Sequence, residues 1–415
     1  MVAGSERLRG LDAMRALVVV GLIFFHSALI FDVHDDYYVK NGQTADLSAL
    51  AALGVVWAMP LLFLTAGLGV WHSLDRRTVA AFVGERLRRL LVPLVFGVLA
   101  LMPIPVWFRL RADPAYAESY ADFYPKFLRV RLEWSNFPFV VQGVPPDDLF
   151  ETGQLWFLVL LLAFTLLLLP AFWWLRRRRN EGLLARLAPL ATRPGAILLP
   201  AIPLGLTSAA FHLEEPHAAW SRWAYLLFFL YGFVLASDPR YLTAMHRHTT
   251  AAIALGLTTF VVGFGMIAAA DAGGDPFIDY RPLSIAGRFL FGVTGWLWLV
   301  AILGLLARPR AYRRPAGSSR RSSALAGWAR EAVLPIYVLH QPMLVAIAFY
   351  VVGWNLHPLA KYLLISLGTL LAVLAAYHLL IRRIQAARVI FGLRPSPAAT
   401  VPPPGGDRPA HSSPH

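Results

Sequence analysis

Cysteine is absent from the 415 residues, so this chain can form no disulfide framework, zinc-thiolate centre or catalytic thiol. Charge is scarce too: Asp, Glu, Lys and Arg make up 15% of the residues, against 57% hydrophobic ones, and mean hydropathy is +0.56. A soluble domain carries about 25% charged residues. The composition therefore excludes an ordinary water-soluble globule and places the chain in a bilayer. Its formal charge of +14 does not point to nucleic acid, because the basic residues fall in short clusters between apolar runs rather than along one polar face.

Those runs predict an all-α integral membrane protein of about ten transmembrane helices, each near the ~20 residues a bilayer requires. They lie at 13–31, 50–72, 90–108, 154–175, 195–213, 221–236, 250–270, 284–307, 332–352 and 360–381. Alternate connecting segments are basic: Arg76, Arg77, Arg86, Arg88 and Arg89; Arg176 to Arg179 with Arg186 and Arg193; Arg240 and Arg247; the run RPRAYRRPAGSSRR; and Arg382 with Arg383. The segments between them hold FDVHDD, HLEEPH and DAGGDPFID, where acids dominate. Positive residues are retained on the cytoplasmic side, so both termini are expected there. Arg7, Arg9 and Arg15 begin a first span that is too long for a cleavable signal and is expected to stay as an anchor.

Two units follow, a membrane-embedded domain over 1–394 and a Pro-rich cytoplasmic tail over 395–415 whose composition cannot build a core. The one long non-membrane segment, about 109–153, lies on the outer side and mixes aromatic rings with carboxylates. That mixture suits sugar recognition, since rings stack on apolar sugar faces and carboxylates accept hydroxyl hydrogen bonds. An interfacial helix with an aromatic belt reads the same way.

Inside the first span stands His26, in IFFHSA. An ionisable side chain within a bilayer is costly and is a functional hypothesis by default. A histidine tucked against another helix with its ring nitrogens satisfied is the structural alternative. Arg15 precedes His26 by eleven residues, which on a helix is three turns plus about 20° and a rise of roughly 16 Å. Both share one face, one at each end of the span. A guanidinium there suits an anionic phosphate, although an Asp12–Arg15 pair at i,i+3 or a plain positive-inside anchor would use the residue as well.

A second polar constellation, PIYVLHQP, sets Tyr337, His340 and Gln341 in the ninth span between Pro335 and Pro342. Prolines at that depth are tolerated where neighbouring helices or a cavity satisfy the freed carbonyls. These side chains are candidates to orient substrate in a cavity shared with His26; an interhelical hydrogen-bond network is the other reading. Gln154 and Trp156 open the fourth span, with interfacial anchoring expected first and substrate contact second. Phe24, Phe25 and Trp57 are candidates to line the path. No histidine pair has metal-ligand spacing with a supporting carboxylate, so no metal is expected.

The segment LDAMRALVVVGLIFFH, carrying Arg-x10-His, resembles the first span of the acyltransferase 3 family. MPLLFLTAGLGVWHSLDRR, GERLRRLLVPLVFG, GQLWFLVLLL and LPIYVLHQPMLV follow in that family's order, so the likeness covers about residues 8 to 385. Within that family the chain resembles a branch that succinylates extracytoplasmic glucans. The resemblance implies transfer of an acetyl- or succinyl-type group from cytoplasmic acyl-CoA to a hydroxyl of an extracytoplasmic glycan or glycolipid, in a bacterial plasma membrane. It assigns the essential Arg-x10-His pair to Arg15 and His26, and an acyl-CoA-side Arg-x-x-Arg motif to Arg86 and Arg89. Acyl-CoA would be a substrate, with no permanently bound cofactor. Some members carry a fused C-terminal hydrolase-like domain. This tail is too short for one, so transfer would finish in the membrane domain or on an envelope partner.

Chemistry read from the residues agrees. A sugar hydroxyl is a poor nucleophile at neutral pH, and imidazole is suited to removing its proton or to carrying the acyl group itself. A transporter or flippase for a lipid-linked sugar would use a polar cavity and cationic residues equally well.

Overall fold

The computed structural model describes residues 2–178, 181–214, 217–307 and 318–394. The tail at 395–415 and most of the basic run after residue 307 lie outside the described residues. Helix accounts for 72% of the structure, and the fold is that of an all-α membrane protein. Helix α1 spans Val2–Leu29, α2 Ser48–Asp75 and α3 Val79–Arg111. After the short α4 (Tyr120–Phe127) and an antiparallel hairpin of β1 (Val130–Leu132) and β2 (Val141–Gly143) come α5 (Trp156–Leu167), α6 (Leu169–Arg177) and α7 (Leu183–Leu190). The chain continues through α8 (Ala201–Ala210), α9 (Arg222–Ser237), α10 (Arg240–Arg247), α11 (Thr249–Asp271) and α12 (Pro282–Leu306). It closes with α13 (Ser318–Val351), α14 (Pro358–Ala376) and α15 (Gln385–Ile390).

Among the described residues seven helices are long and apolar enough to cross a membrane: Gly10–Leu29, Ser48–Asp75, Val79–Arg111, Thr249–Asp271, Pro282–Leu306, Gly327–Val351 and Pro358–Ile381. The expected fourth span at 154–175 is instead a pair, Gly153–Leu167 and Leu169–Arg177, bent by 50°. Pro170 explains the break, because its ring removes a backbone donor and crowds the carbonyl four residues earlier. The expected fifth and sixth spans are shorter apolar helices, Ala196–Ala210 and Arg222–Ser237. Every apolar run read from the sequence thus became helix, and three of them fall short of a straight crossing.

Close backbone approach holds the bundle. A Cβ on Gly232 would run into the carbonyl oxygen of Leu64, and one on Gly67 into that of Phe229, so α2 and α9 cross with their backbones in contact. Without a hydrophobic drive between helices in lipid, such small-residue crossings supply the packing. Arg288 on α12 is fully buried and donates to the carbonyls of Pro276 at 3.0 Å and Ala209 at 3.3 Å, tying the last turn of α8 and the loop before α12 together at one end of the bundle. At that same end, the ammonium of Lys40 donates to the carbonyls of Leu29 at 2.8 Å and of Asp32 and Asp35 at 2.5 Å. The unpaired carbonyls at the end of α1 are thereby satisfied and the loop after it is folded back over the helix.

The segment at 109–153 divides its aromatic residues. Phe123 and Phe127 on α4 are buried in the core, whereas Trp134 is 71% exposed at the hairpin. Ser119 caps α4 by accepting from the amide of Asp122 at 3.3 Å.

Candidate active site

Helix α1 is unbroken from Arg15 to His26, so the eleven-residue spacing does set the two side chains on one face at opposite ends. His26 is half-buried and lines a cavity of about 1340 Å³. Its ring stacks on Tyr37 with centroids 5.8 Å apart, meets Phe25 edge-on at 5.3 Å and lies 5.4 Å from the ring of His340. Tyr37 comes from the loop that Lys40 folds over α1.

Polar atoms without a hydrogen-bond partner gather here. His26 Nδ1, Tyr37 Oη, Gln154 Oε1, His340 Nε2 and Gln341 Oε1 are all buried and unpaired. Native interiors leave few such atoms, and each one calls for an explanation. A cluster of them beside one cavity is what a polar ligand site requires.

The Tyr337 group divides in function. Tyr337 and Gln341 line the cavity, while His340 is fully buried and stands behind the wall against His26. The Tyr337 hydroxyl donates to the carbonyl of Gln154, and the Gln154 amide donates to the carbonyl of Val338 at 3.2 Å. These two bonds staple α13 to the start of α5, so Tyr337 serves an interhelical network as well as the wall. Nδ1 of His340 is 2.6 Å from the carbonyl of Tyr337. A carbonyl only accepts, so Nδ1 holds the hydrogen and Nε2 the lone pair.

Trp156 is not an interfacial anchor. It is buried, lines the cavity and packs against Phe63, His217 and Tyr225. Of the expected path residues, Phe25 lines the cavity; Phe24 and Trp57 do not, and Val55 and Met59 take the place expected of Trp57. The break of α2 at Val56–Trp57 rotates that stretch relative to a straight helix.

At the other end of α1, Arg15 donates from Nε to the hydroxyl of Thr65 at 2.9 Å, from Nη2 to the Thr65 carbonyl, and from Nη1 to Asp12 at 3.1 Å. Asp12 also accepts from Arg330 at 2.7 Å. The Asp12–Arg15 pair is therefore real. It uses part of the guanidinium's five donors and fixes the group in place without exhausting it. Arg86 and Arg89 stand near enough to repel Arg15 electrostatically, whereas Arg88 turns away to the carbonyl of Leu393 at 3.5 Å. Arg86 packs over the ring of Phe82, and its Nε is buried without a partner. A π-helical turn at Leu87–Leu91 follows Arg86 and carries Arg88 and Arg89. Such bulges are frequent at functional sites.

The sequence reading passed over a cluster beside the cavity. His217 Nδ1 is 2.6 Å from Glu214 Oε2, and Glu214 accepts in turn from Arg222 Nη2 at 2.9 Å. His217 lines both the large cavity and a smaller neighbouring chamber of about 500 Å³. The i,i+3 spacing of Glu214 and His217 in HLEEPH was the one local signal. Arg222 and the rings that hold the imidazole come from elsewhere in the chain.

A bundle of apolar helices with an intramembrane histidine on a polar cavity and a knot of arginines at the far end of the same helix describes a multi-pass membrane enzyme. The chain matches the Acyl_transf_3 family model, an acyltransferase domain, over residues 8–378 and belongs to the acyltransferase 3 family. No curated protein and no solved structure matches it.

Proposed function

We propose that the protein moves an acetyl- or succinyl-type acyl group from cytoplasmic acyl-CoA to a hydroxyl of an extracytoplasmic glycan or glycolipid, in a bacterial plasma membrane. Ten apolar segments with both termini cytoplasmic is the matching topology, the bent and shortened helices completing the count. It puts Arg15, Arg86 and Arg89 on the donor side, where guanidinium groups suit the phosphates of a CoA head. The pantetheine arm would rise along α1 towards His26. His26 is the base for the acceptor hydroxyl or the transient carrier of the acyl group, and Tyr337, Gln341 and Trp156 bound the space in which it works. His340 sets the tautomer of His26 from behind. Within the family, the reading follows the glucan-succinylating branch, and the acylated product passes to the envelope.

The observation that carries this reading is the set of unpaired buried polar atoms around His26, on the same helix face as Arg15. Family membership favours chemistry over transport. The test is covalent. Purified protein incubated with radiolabelled acetyl-CoA or succinyl-CoA and envelope glycan should place label on the glycan in an ester that mild base removes. Label that stays with CoA under every donor would overturn the proposal.

A further inference from the structure

The wall between the two chambers carries an acid–base pair that the roles given to His26 and Arg15 leave unused. Glu214 is held by a fork of bonds from Arg222, with Nη2 at 2.9 Å and Nε at 3.2 Å, and by the Arg222 amide at 3.1 Å. Arg222 is itself fixed by Asn136 Oδ1 at 2.9 Å and by the carbonyl of Phe137 at 3.0 Å. Burial would raise the Glu214 carboxyl, but hydrogen bonds from His217 and Arg222 outweigh it and hold its pKa down at about 2. An ionised carboxylate only accepts, so His217 Nδ1 carries the hydrogen, and in the neutral ring Nε2 keeps the lone pair. The ring cannot turn: it stacks on Phe139 at 4.7 Å and meets Trp156 at 5.3 Å, and its own backbone carbonyl accepts from the Tyr225 hydroxyl at 2.7 Å. A carboxylate that orients imidazole so that the far nitrogen presents a lone pair is the arrangement of a general base.

The surroundings identify its substrate class. The smaller chamber is lined by the rings of Phe139 and Phe150 and by Gln142, Glu151 and Asp275 as hydrogen-bonding groups. Rings and carboxylates together suit a polyhydroxylated sugar.

We propose that His217, oriented by Glu214, is the base that deprotonates the acceptor sugar hydroxyl in the smaller chamber, so that of the two roles given to His26 the handling of the acyl group itself is the one left to it. The inference rests on the acyl-transfer reading above. As the hydroxyl oxygen bonds to the acyl carbonyl carbon, its O–H bond breaks and the proton passes to His217 Nε2. The carbonyl carbon releases its bond to sulfur, or to the His26 nitrogen if the acyl group rests there, and the electron pair leaves with that atom. His217 returns its proton to the aqueous smaller chamber. The leaving group takes one from the cytoplasmic side.

The test uses membranes from cells whose own copy is replaced by the full-length variant, supplied with radiolabelled acetyl-CoA and succinyl-CoA, with and without hydroxylamine. Hydroxylamine attacks acyl carbonyls as a neutral amine and needs no base to deprotonate it. For His217→Gln, labelling of the saccharide fraction should fall by roughly 100-fold or more, while hydroxamate formed above the protein-free blank stays within about two-fold of wild type. Glu214→Gln should show the same split with a smaller loss. Saccharide labelling by His217→Gln at the wild-type rate would overturn the assignment. So would a parallel loss of hydroxamate, which would make His217 a structural residue. Wild-type membranes that form neither product would instead remove the acyl-transfer reading itself.

Discussion

The imidazole of His340 lies 5.4 Å from that of His26, and its Nδ1 is fixed 2.6 Å from the carbonyl of Tyr337. His340 therefore presents a lone pair on Nε2, a buried atom with no partner, next to a ring whose Nδ1 is equally buried and unpaired. On the proposed reading His340 touches no substrate and acts through His26: in the working state its lone pair would receive a hydrogen from Nδ1 of His26, leaving Nε2 of that ring for chemistry in the cavity.

A positioning role of that kind separates the kinetic constants. His340→Gln should lower kcat about 10-fold to 100-fold while KM for acyl-CoA changes little, because ground-state binding is untouched. His340→Asn, which can still place a side-chain amide near the Tyr337 carbonyl, should recover part of the loss. Steady-state kinetics on protein quantified in membranes checks it, and a rise in KM with kcat unchanged would contradict it.

Arg89→Ala should do the opposite. If Arg89 grips the donor's phosphates with Arg86 and Arg15, its loss raises KM for acyl-CoA more than it lowers kcat. Misinsertion with normal kinetics in the surviving protein would show a topology anchor instead.

Tyr337→Phe removes the donor that the Gln154 carbonyl now receives. Leaving a buried acceptor unsatisfied costs about 1–3 kcal/mol. Thermal unfolding in detergent should shift to lower temperature, with turnover per folded molecule within about three-fold of wild type, since the hydroxyl is committed to the staple. A stable variant with abolished turnover would move Tyr337 into the chemistry.

The legible part of this molecule is what one helix or one short segment encodes. The Arg15–His26 spacing translates directly into a shared face because α1 runs straight through both. Pro170 marks a break that hydropathy averages over. The Gln154–Tyr337 staple and the Arg222–Asn136 contact join residues far apart in sequence, and the Lys40 cap forms within one loop of no regular period, so no local pattern encodes them. Trp156 shows the limit well. An aromatic residue at a helix start reads as an interfacial anchor, and only the packing of Tyr225 and His217 against it makes it part of an interior wall.

Acid should erase what Glu214 contributes to stability. Its pKa is held at about 2 in the folded protein against 4.5 ordinarily. A depressed folded value means that the stabilisation is present above the unfolded pKa and is lost as pH falls towards the folded one. The gap in unfolding temperature between wild type and Glu214→Gln should be constant above about pH 5.5 and close progressively below about pH 4.5. A gap that persists unchanged to about pH 2.5 would mean that the stabilisation does not come from the ionised carboxylate.

The role given to His26 is tested most directly by removing it. Ala suits a membrane helix at least as well as His, and in the structure Nδ1 of the ring makes no hydrogen bond that the substitution would break. His26→Ala should therefore insert normally and reach wild-type abundance while transfer falls by about 10²- to 10⁴-fold, the range typical for loss of a positioned base. A structural histidine predicts the reverse, with low abundance and near-normal turnover in the protein that survives. Arg15→Lys supplies the control at the other end of the helix. Lysine keeps the positive charge that topology needs but cannot reach both the Thr65 oxygens and Asp12 while facing a phosphate. It should insert normally and transfer poorly, through a raised KM for acyl-CoA. A His26→Ala protein that acylates its glycan at the wild-type rate would defeat the assignment of this cavity as the reaction centre.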